Sequence, residues 1–387
     1  MYEPGRRFML WHALRKAARE SGKSVWRILA EHWHLKRAGR RLLLTEFLAF
    51  GLYRRDARPE DFVGVIEGAV LALAINYRKN RRALVHDKLL FDAMLRGLGY
   101  PVPHLQAVIG GLGQGGGFAV LRGPAQVKSF LTRDAAYPLF IKPAKGQNSL
   151  GAVAIDRFDR TCGEVVLSDE ERGALDDMVQ RLCTGRDGPL LVQSFIDQHQ
   201  EITSLIGPAI GCVRVITFLE NGQPTILRAF WKIPTGGAIA DNLWRGNLIA
   251  SIDEMTGKIG AVRAHAGLDA PVVSHHPDTG AFLKDVVMPF WDQVRHLCCD
   301  AALLMRGMPL VGWDVAIGRD GPVMVEANSV PSAELTQYPD QRGFLVGDLL
   351  SRIEAELARL KTDEVRNAQE KRNRVRALLV KRILPGF

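Results

Sequence analysis

Asp314, Glu326 and Asn328 offer three hard oxygen donors within one short stretch of chain. Two apolar runs, Val311 to Ile317 and Val323 to Glu326, flank Gly318-Arg319-Asp320-Gly321, and Asp-Gly between such runs reads as a β-hairpin. Strand side chains alternate faces, so Glu326 and Asn328 point to one side. Val325 and Ala327 are expected to face the core, and Asp314 to lie across the ladder about two or three pairs from Glu326. Such donors suit Mg²⁺ completed by phosphate oxygens and water. Two carboxylates ~4 Å apart at an effective dielectric near 20 repel by about 4 kcal/mol unless a cation separates them. The same spacing also fits a surface strand with ordinary polar alternation.

Lys142 directly follows the buried-looking run Leu139-Phe140-Ile141, so it must reach an anion or bear a desolvation cost. The small-residue loop behind it, Lys145-Gly146-Gln147-Asn148-Ser149-Leu150-Gly151, would let backbone N–H groups approach phosphates. A flexible turn with an incidental lysine fits too. The loop contains no Gly-Lys-Ser/Thr, so it is not a Walker A loop. Gly111-Leu112-Gly113-Gln114-Gly115-Gly116 satisfies G-x-G-x-x-G, but a strand rather than a helix follows, and it reads as a glycine-rich hairpin. Arg214, Lys232 and Arg245 suit a transferring phosphoryl group or a carboxylate, with Asp241 and Asn242 nearby in a glycine-rich loop; each cation could equally sit on the surface. His275-His276 and Cys298-Cys299 have no partners at useful spacing and read as structural.

The elements that must hold these residues follow from periodicity. Residues 1–85 read as helical, with Trp26, Ile28, Leu29 and Trp33 at helical spacing. Asp87 is placed to cap a helix running to Leu95. Strands are expected at 106–109, 118–121, 137–143, 190–196, 212–219, 225–231 and 259–262, and a helix at 124–131. Asn221-Gly222 joins 212–219 to 225–231 as a hairpin. A long helix is expected over 282–305, and another from Phe344 to Leu360 before a charged helical tail.

With 387 residues, 47% hydrophobic and 24% charged, the chain is globular, with room for two or three domains. Its net charge of +9 is concentrated at the ends. From Arg6 to Arg41, eleven basic residues meet only Glu20 and Glu31, and residues 366–382 are similarly basic. Solvated helix faces account for this; peripheral contact of the basic ends with a membrane or an anionic glycan also fits. Five cysteines without a CxxC pair indicate neither zinc nor a disulfide framework. No signal peptide or spanning run is apparent, so a cytoplasmic location is expected, and no nucleic-acid-binding motif accompanies the charge.

Taken in order, these motifs resemble the ATP-grasp superfamily. Tyr137 to Gly151 is similar to the strand–lysine–glycine-loop of D-alanine–D-alanine ligases, and Gly312 to Ile317 with Asp320 to Asn328 to the metal-binding hairpin. Within it the chain resembles the sugar-transfer-associated branch, carried by Cys212 to Thr217, Asp241-Asn242 and Gly312 through Ser329. The resemblance spans roughly residues 86–345 and implies an α+β fold of two lobes clasping ATP. The first lobe is expected at 86–192 and the second at 193–360, between a basic helical region (1–85) and a basic helical tail (361–387). It implies Lys142, Lys145, Gly146 and Ser149 at the phosphates. Gln193, Phe195 and Ile196 would meet adenine, Glu201 ribose, and Asp314, Glu326 and Asn328 Mg²⁺. Arg214, Lys232, Asn242 and Arg245 are then the catalytic candidates. Where D-alanine ligases carry arginine two residues before the metal-binding aspartate, this chain has Gly312, and Arg214 is the candidate replacement. The implied reaction joins a small-molecule carboxylate to an amine or amino sugar through an acyl phosphate, in polysaccharide or amino-acid conjugate biosynthesis. An ATP-grasp kinase acting on an alcohol and a non-catalytic ATP-binding partner protein are the alternatives.

Overall fold

The computed structural model describes residues 4–76, 79–110, 117–146, 151–168, 170–184, 188–236, 247–265, 267–362 and 369. Six helices come first: α1 (Pro4–Ser21), α2 (Val25–Arg37), α3 (Leu44–Ala49), α4 (Val65–Ile75), α5 (Lys79–His86) and α6 (Lys88–Gly97). The helical reading of this region holds. Asp87 caps α6 as expected, its carboxylate accepting from the N–H groups of Leu89 and Leu90.

The first sheet is built from β1 (Leu105–Ile109), β2 (Ala119–Leu121), β3 (Leu139–Pro143), β4 (Val153–Asp159), β5 (Glu164–Leu167), β6 (Arg172–Ala174) and β7 (Leu190–Ser194). Its order is β2-β1-β7-β3-β4-β5-β6, so β7 lies centrally beside the strand of Lys142. Helices α7 (Pro124–Ser129) and α8 (Leu175–Cys183) cover it, with Val127, Met178, Val179 and Leu182 in the same core as Leu139, Ile141 and Val192. After α9 (Gln200–Ile206) comes the second sheet: β8 (Val213–Glu220), β9 (Gln223–Ile233), β10 (Leu248–Ile252), β11 (Ile259–Arg263), β12 (Val272–Val273), β13 (Leu310–Gly318) and β14 (Gly321–Asn328). Its order is β12-β11-β10-β9-β8-β13-β14. Asn221 and Gly222 both take positive φ, which a tight hairpin between β8 and β9 needs.

Helix α10 (Trp291–Leu304) packs on the inner face of this sheet, where Val294, Cys298 and Ala301 join Val215, Trp231, Trp313 and Val315 in one core. It is shorter than expected over 282–305. Phe282 and Val287 form isolated bridges with His275 and Lys258, Phe290 is left-handed, and Pro289 would disrupt a helix interior. A further helix runs over 349–362. The basic tail falls mostly outside the described residues.

Candidate nucleotide and phosphate site

The second sheet presents a row of charges on the face opposite α10. Arg214 on β8 pairs directly with Asp314 on β13, and Asp314 with Glu326 on β14. The expectation of an offset of two or three pairs is corrected here. From Gly318↔Gly321 to Val315↔Met324 the ladder is regular, then a bulge advances it by one residue and brings Glu326 opposite Asp314. Val325 is the extra residue, so it does not face the core as expected; Met324 and Ala327 do. Asn328 shares the face of Glu326, and its Nδ2 donates to Glu326 Oε1 at 3.2 Å.

Asp314 is gripped by Arg214, whose Nη2 donates to Oδ2 at 2.7 Å while Nε reaches Oδ1. Lys232 Nζ stands 3.3 Å from the same Oδ2. All three side chains are buried. Burial pushes the Asp314 carboxyl up, but the charges and hydrogen bonds of Arg214 and Lys232 outweigh it and hold the group well below the usual carboxylate range. Arg214 Nη1 also donates to Pro331 O at 3.2 Å. A Cβ on Gly312 would stand 2.9 Å from Pro331 Cβ and 3.1 Å from Arg214 Cδ, so the arginine stem occupies the space that a side chain at 312 would need.

Lys142 is buried on β3, with its backbone paired to Leu191 of β7. Burial lowers the pKa of its ammonium; attraction to Glu326 opposes this and repulsion from Lys88 adds to it. Lys88 is the site residue that sequence reasoning missed. Its Nζ donates to Gly146 O at 2.7 Å and stands 3.7 Å from Glu326 Oε2, while its own N–H donates to Ala144 O. A signal existed: Lys88 is the first residue of a helix, where the dipole disfavours a cation.

Gln193 is buried and donates to Asp92 Oδ1 at 3.3 Å. The Phe195 N–H donates to Pro138 O, and its ring meets Phe140 edge-on at 6.2 Å. Ile196 is half-buried beyond it. Lys145 and Gly146 are exposed after β3, Gly146 at φ 133°, a value that favours glycine. Glu201 is exposed in the first turn of α9, and its side chain makes no polar contact with the charge row. Ser149, Asn242 and Arg245, with Asp241, lie outside the described residues, as does the glycine cluster 111–116.

The N-terminal helices hold the hairpin in place. Asn76, fully buried, donates to Leu310 O at 2.6 Å and Ser329 O at 2.8 Å and accepts from the Leu310 N–H at 3.0 Å. His86 Nε2 lies 3.0 Å from Ser329 Oγ. Glu334, in the short helix Ala333–Gln337, packs against α4, where a Cβ on Gly68 would lie 3.4 Å from its Oε2. Burial pushes its carboxyl up to about 7, with Glu46 adding to the effect and Arg214 opposing it.

Four cations, Lys88, Lys142, Arg214 and Lys232, thus surround two carboxylates, an arrangement short of negative charge and suited to a polyphosphate. Among the described residues no group of three or more His, Cys, Asp and Glu could hold a metal by itself. Two carboxylates and an amide fit Mg²⁺, which takes few protein ligands when phosphates supply the rest.

The chain belongs to the sugar-transfer associated ATP-grasp family, whose sequence model matches residues 70–354. The match starts within α4 and so includes helices that hold the hairpin, earlier than the resemblance from residue 86. No curated protein sequence matches the chain. Among solved structures it is similar to an L-amino acid ligase from Bacillus licheniformis (14% identity, 66% of this chain and 44% of that one, TM-score 0.35). It is also similar to D-alanine–D-alanine ligases from Coxiella burnetii (14%, 76% and 62%, 0.41) and Helicobacter pylori (11%, 71% and 61%, 0.37). The chain spans less than two thirds of each of these relatives. With every TM-score below 0.5, the family assignment rests on the sequence match.

Proposed function

We propose that this protein is an ATP-dependent carboxylate–amine ligase acting through an acyl phosphate. The observation that carries the reading is the buried Arg214–Asp314–Lys232 cluster facing Glu326, Lys88 and Lys142. Lys142 and the 145–151 loop, with Ser149, bind the ATP phosphates, and Lys88 anchors that loop through Gly146. Adenine lies against Gln193, Phe195 and Ile196, and Glu201 receives the ribose. Asp314, Glu326 and Asn328 would hold Mg²⁺, which when bound neutralises phosphate charge. Arg214 and Lys232, with Asn242 and Arg245, orient the carboxylate and balance the charge that develops as it reacts.

A carboxylate oxygen attacks the γ-phosphorus, the bond to the bridging oxygen breaks and ADP leaves. The amine nitrogen then attacks the acyl carbon and inorganic phosphate departs with the C–O bonding pair, the amine losing its proton to solvent. The reaction is assigned to the cytoplasm, where ATP is supplied, and its product to polysaccharide or amino-acid conjugate assembly. ADP release is measured over panels of amino acids and amino sugars with mass spectrometry of the products. The ligase reading requires ADP and phosphate only when a carboxylate and an amine are both present, with an amide product. A phosphorylated alcohol would make the protein a kinase, and ATP binding without turnover on any panel would make it a non-catalytic partner.

A further inference from the structure

The N-terminal helices carry a second feature that the ATP site does not use. Trp26 is 79% exposed, Trp33 52% and Trp11 46%. An indole left in water forgoes the burial that ordinarily stabilises so large a ring. These three are not scattered. On α2, Ile28 and His32 face the core, and Trp26, Ala30, Trp33 and Arg37 fall on the opposite stripe. On α1, Ala13, Leu14 and Ala17 are buried, and Trp11, Arg15 and Arg19 form the outward stripe. The two helices are joined by a short turn and pack on a shared core, so both stripes point away from that core.

The chemistry of the stripes is uniform. The Arg15 guanidinium lies 5.2 Å from the Trp11 ring centroid and that of Arg37 lies 5.1 Å from Trp33. Arg15, Arg19, Lys36 and Arg37 make no ion pair among the described residues. The two acidic residues between Arg6 and Arg41 are engaged elsewhere, Glu31 with Lys23 and Arg27, and Glu20 with Tyr53. Cations beside indoles match a surface that is anionic outside and apolar a few ångströms beneath. A soluble polyanion that offers no ring to stack on would use the arginines and leave the indoles without a role. No helix among the described residues is long and apolar enough to cross a membrane, so contact would be peripheral.

We propose that the outward face of α1 and α2, centred on Trp11, Trp26 and Trp33, docks this protein on an anionic phospholipid bilayer, the indoles entering the interface and Arg15, Arg19 and Arg37 meeting the headgroups. This surface stands whether or not the ligase reading does.

The test is flotation of the full chain with phosphatidylcholine vesicles, with and without phosphatidylglycerol, for wild type and the Trp26→Ala/Trp33→Ala double variant. Both rings are on the surface and outside the nucleotide site, so ATP binding in solution reports folding and is expected to be unchanged. Wild type is expected to float with the anionic vesicles and about tenfold less with neutral ones, and the double variant to lose about tenfold or more on the anionic vesicles. Arg15→Glu/Arg37→Glu is expected to lose as much. Absence of flotation with anionic vesicles overturns the proposal. So does flotation that is undiminished without the two tryptophans, or that dextran sulfate displaces equally from wild type and double variant, since the partner would then be a polyanion.

Discussion

Arg214 lies where a side chain on Gly312 would have to go, and from there it grips Asp314 on the same neighbouring strand. A bare position on β13 and a long cation on β8 thus form one unit, so the cation reaches the carboxylate from across the ladder. Arg214→Ala would leave Asp314 buried with Lys232 as its remaining ion-pair partner among the described residues. A buried pair broken from one side costs about 3–5 kcal/mol, and Lys232 brings the expectation to the lower end. The pH dependence has a definite sign. The folded-state pKa of Asp314 is depressed, so its stabilisation is present above the ordinary carboxylate range and lost as pH falls through and below that range. Urea unfolding from pH 3 to 7 should show wild type losing stability toward acid more steeply than Arg214→Ala.

Glu334 gives the opposite sign. Its folded pKa is raised from 4.5 to about 7, so between those values the folded state holds a proton that the unfolded chain has released. Stability contributed by the protonated form therefore declines as pH rises from about 4.5 to 7, by about 3 kcal/mol in all. Glu334→Gln keeps the shape and removes the titration. Its unfolding midpoint is expected to lack that decline and to exceed that of wild type at pH 8; parallel profiles for the two proteins would contradict this account of Glu334.

Asn76 is a buried clamp between the N-terminal helices and the ends of β13 and β14. Asn76→Ala strands two carbonyls and one N–H without partners, at about 1–3 kcal/mol each before relaxation. A loss of about 3 kcal/mol in denaturant unfolding is expected, with weaker ATP binding because Glu326 and Asn328 lie on the strand it holds. Unchanged stability would show that water replaces the amide.

Much of this was legible in the sequence, for reasons tied to particular residues. Asp-Gly and Asn-Gly turns announced the two hairpins, alternation put Glu326 and Asn328 on one face, and the run before Lys142 announced a buried strand. The register of Asp314 was not legible, because a bulge depends on how Met324 and Ala327 pack beneath the strand, and no local residue type at Val325 announces it. Lys88 was hidden because its chemistry depends on contacts with Gly146 and Glu326, both distant in sequence. The contribution of α4 to α6 was hidden likewise: Asn76 and His86 meet the hairpin more than two hundred residues later. Helix α10 starts later than the apolar spacing predicts, because that spacing continues upstream through Pro289.

The central claim is that Lys142 and Glu326 belong to one Mg²⁺-ATP site. Equilibrium ATP binding with and without Mg²⁺, for wild type, Lys142→Ala and Glu326→Ala, tests it most directly. The account predicts Mg²⁺-dependent binding by wild type, a loss of about tenfold or more for Lys142→Ala, and loss of the Mg²⁺ dependence for Glu326→Ala, each being a charged contact of about 1.5–3 kcal/mol. Binding by both folded variants as tight and as Mg²⁺-dependent as that of wild type would contradict it.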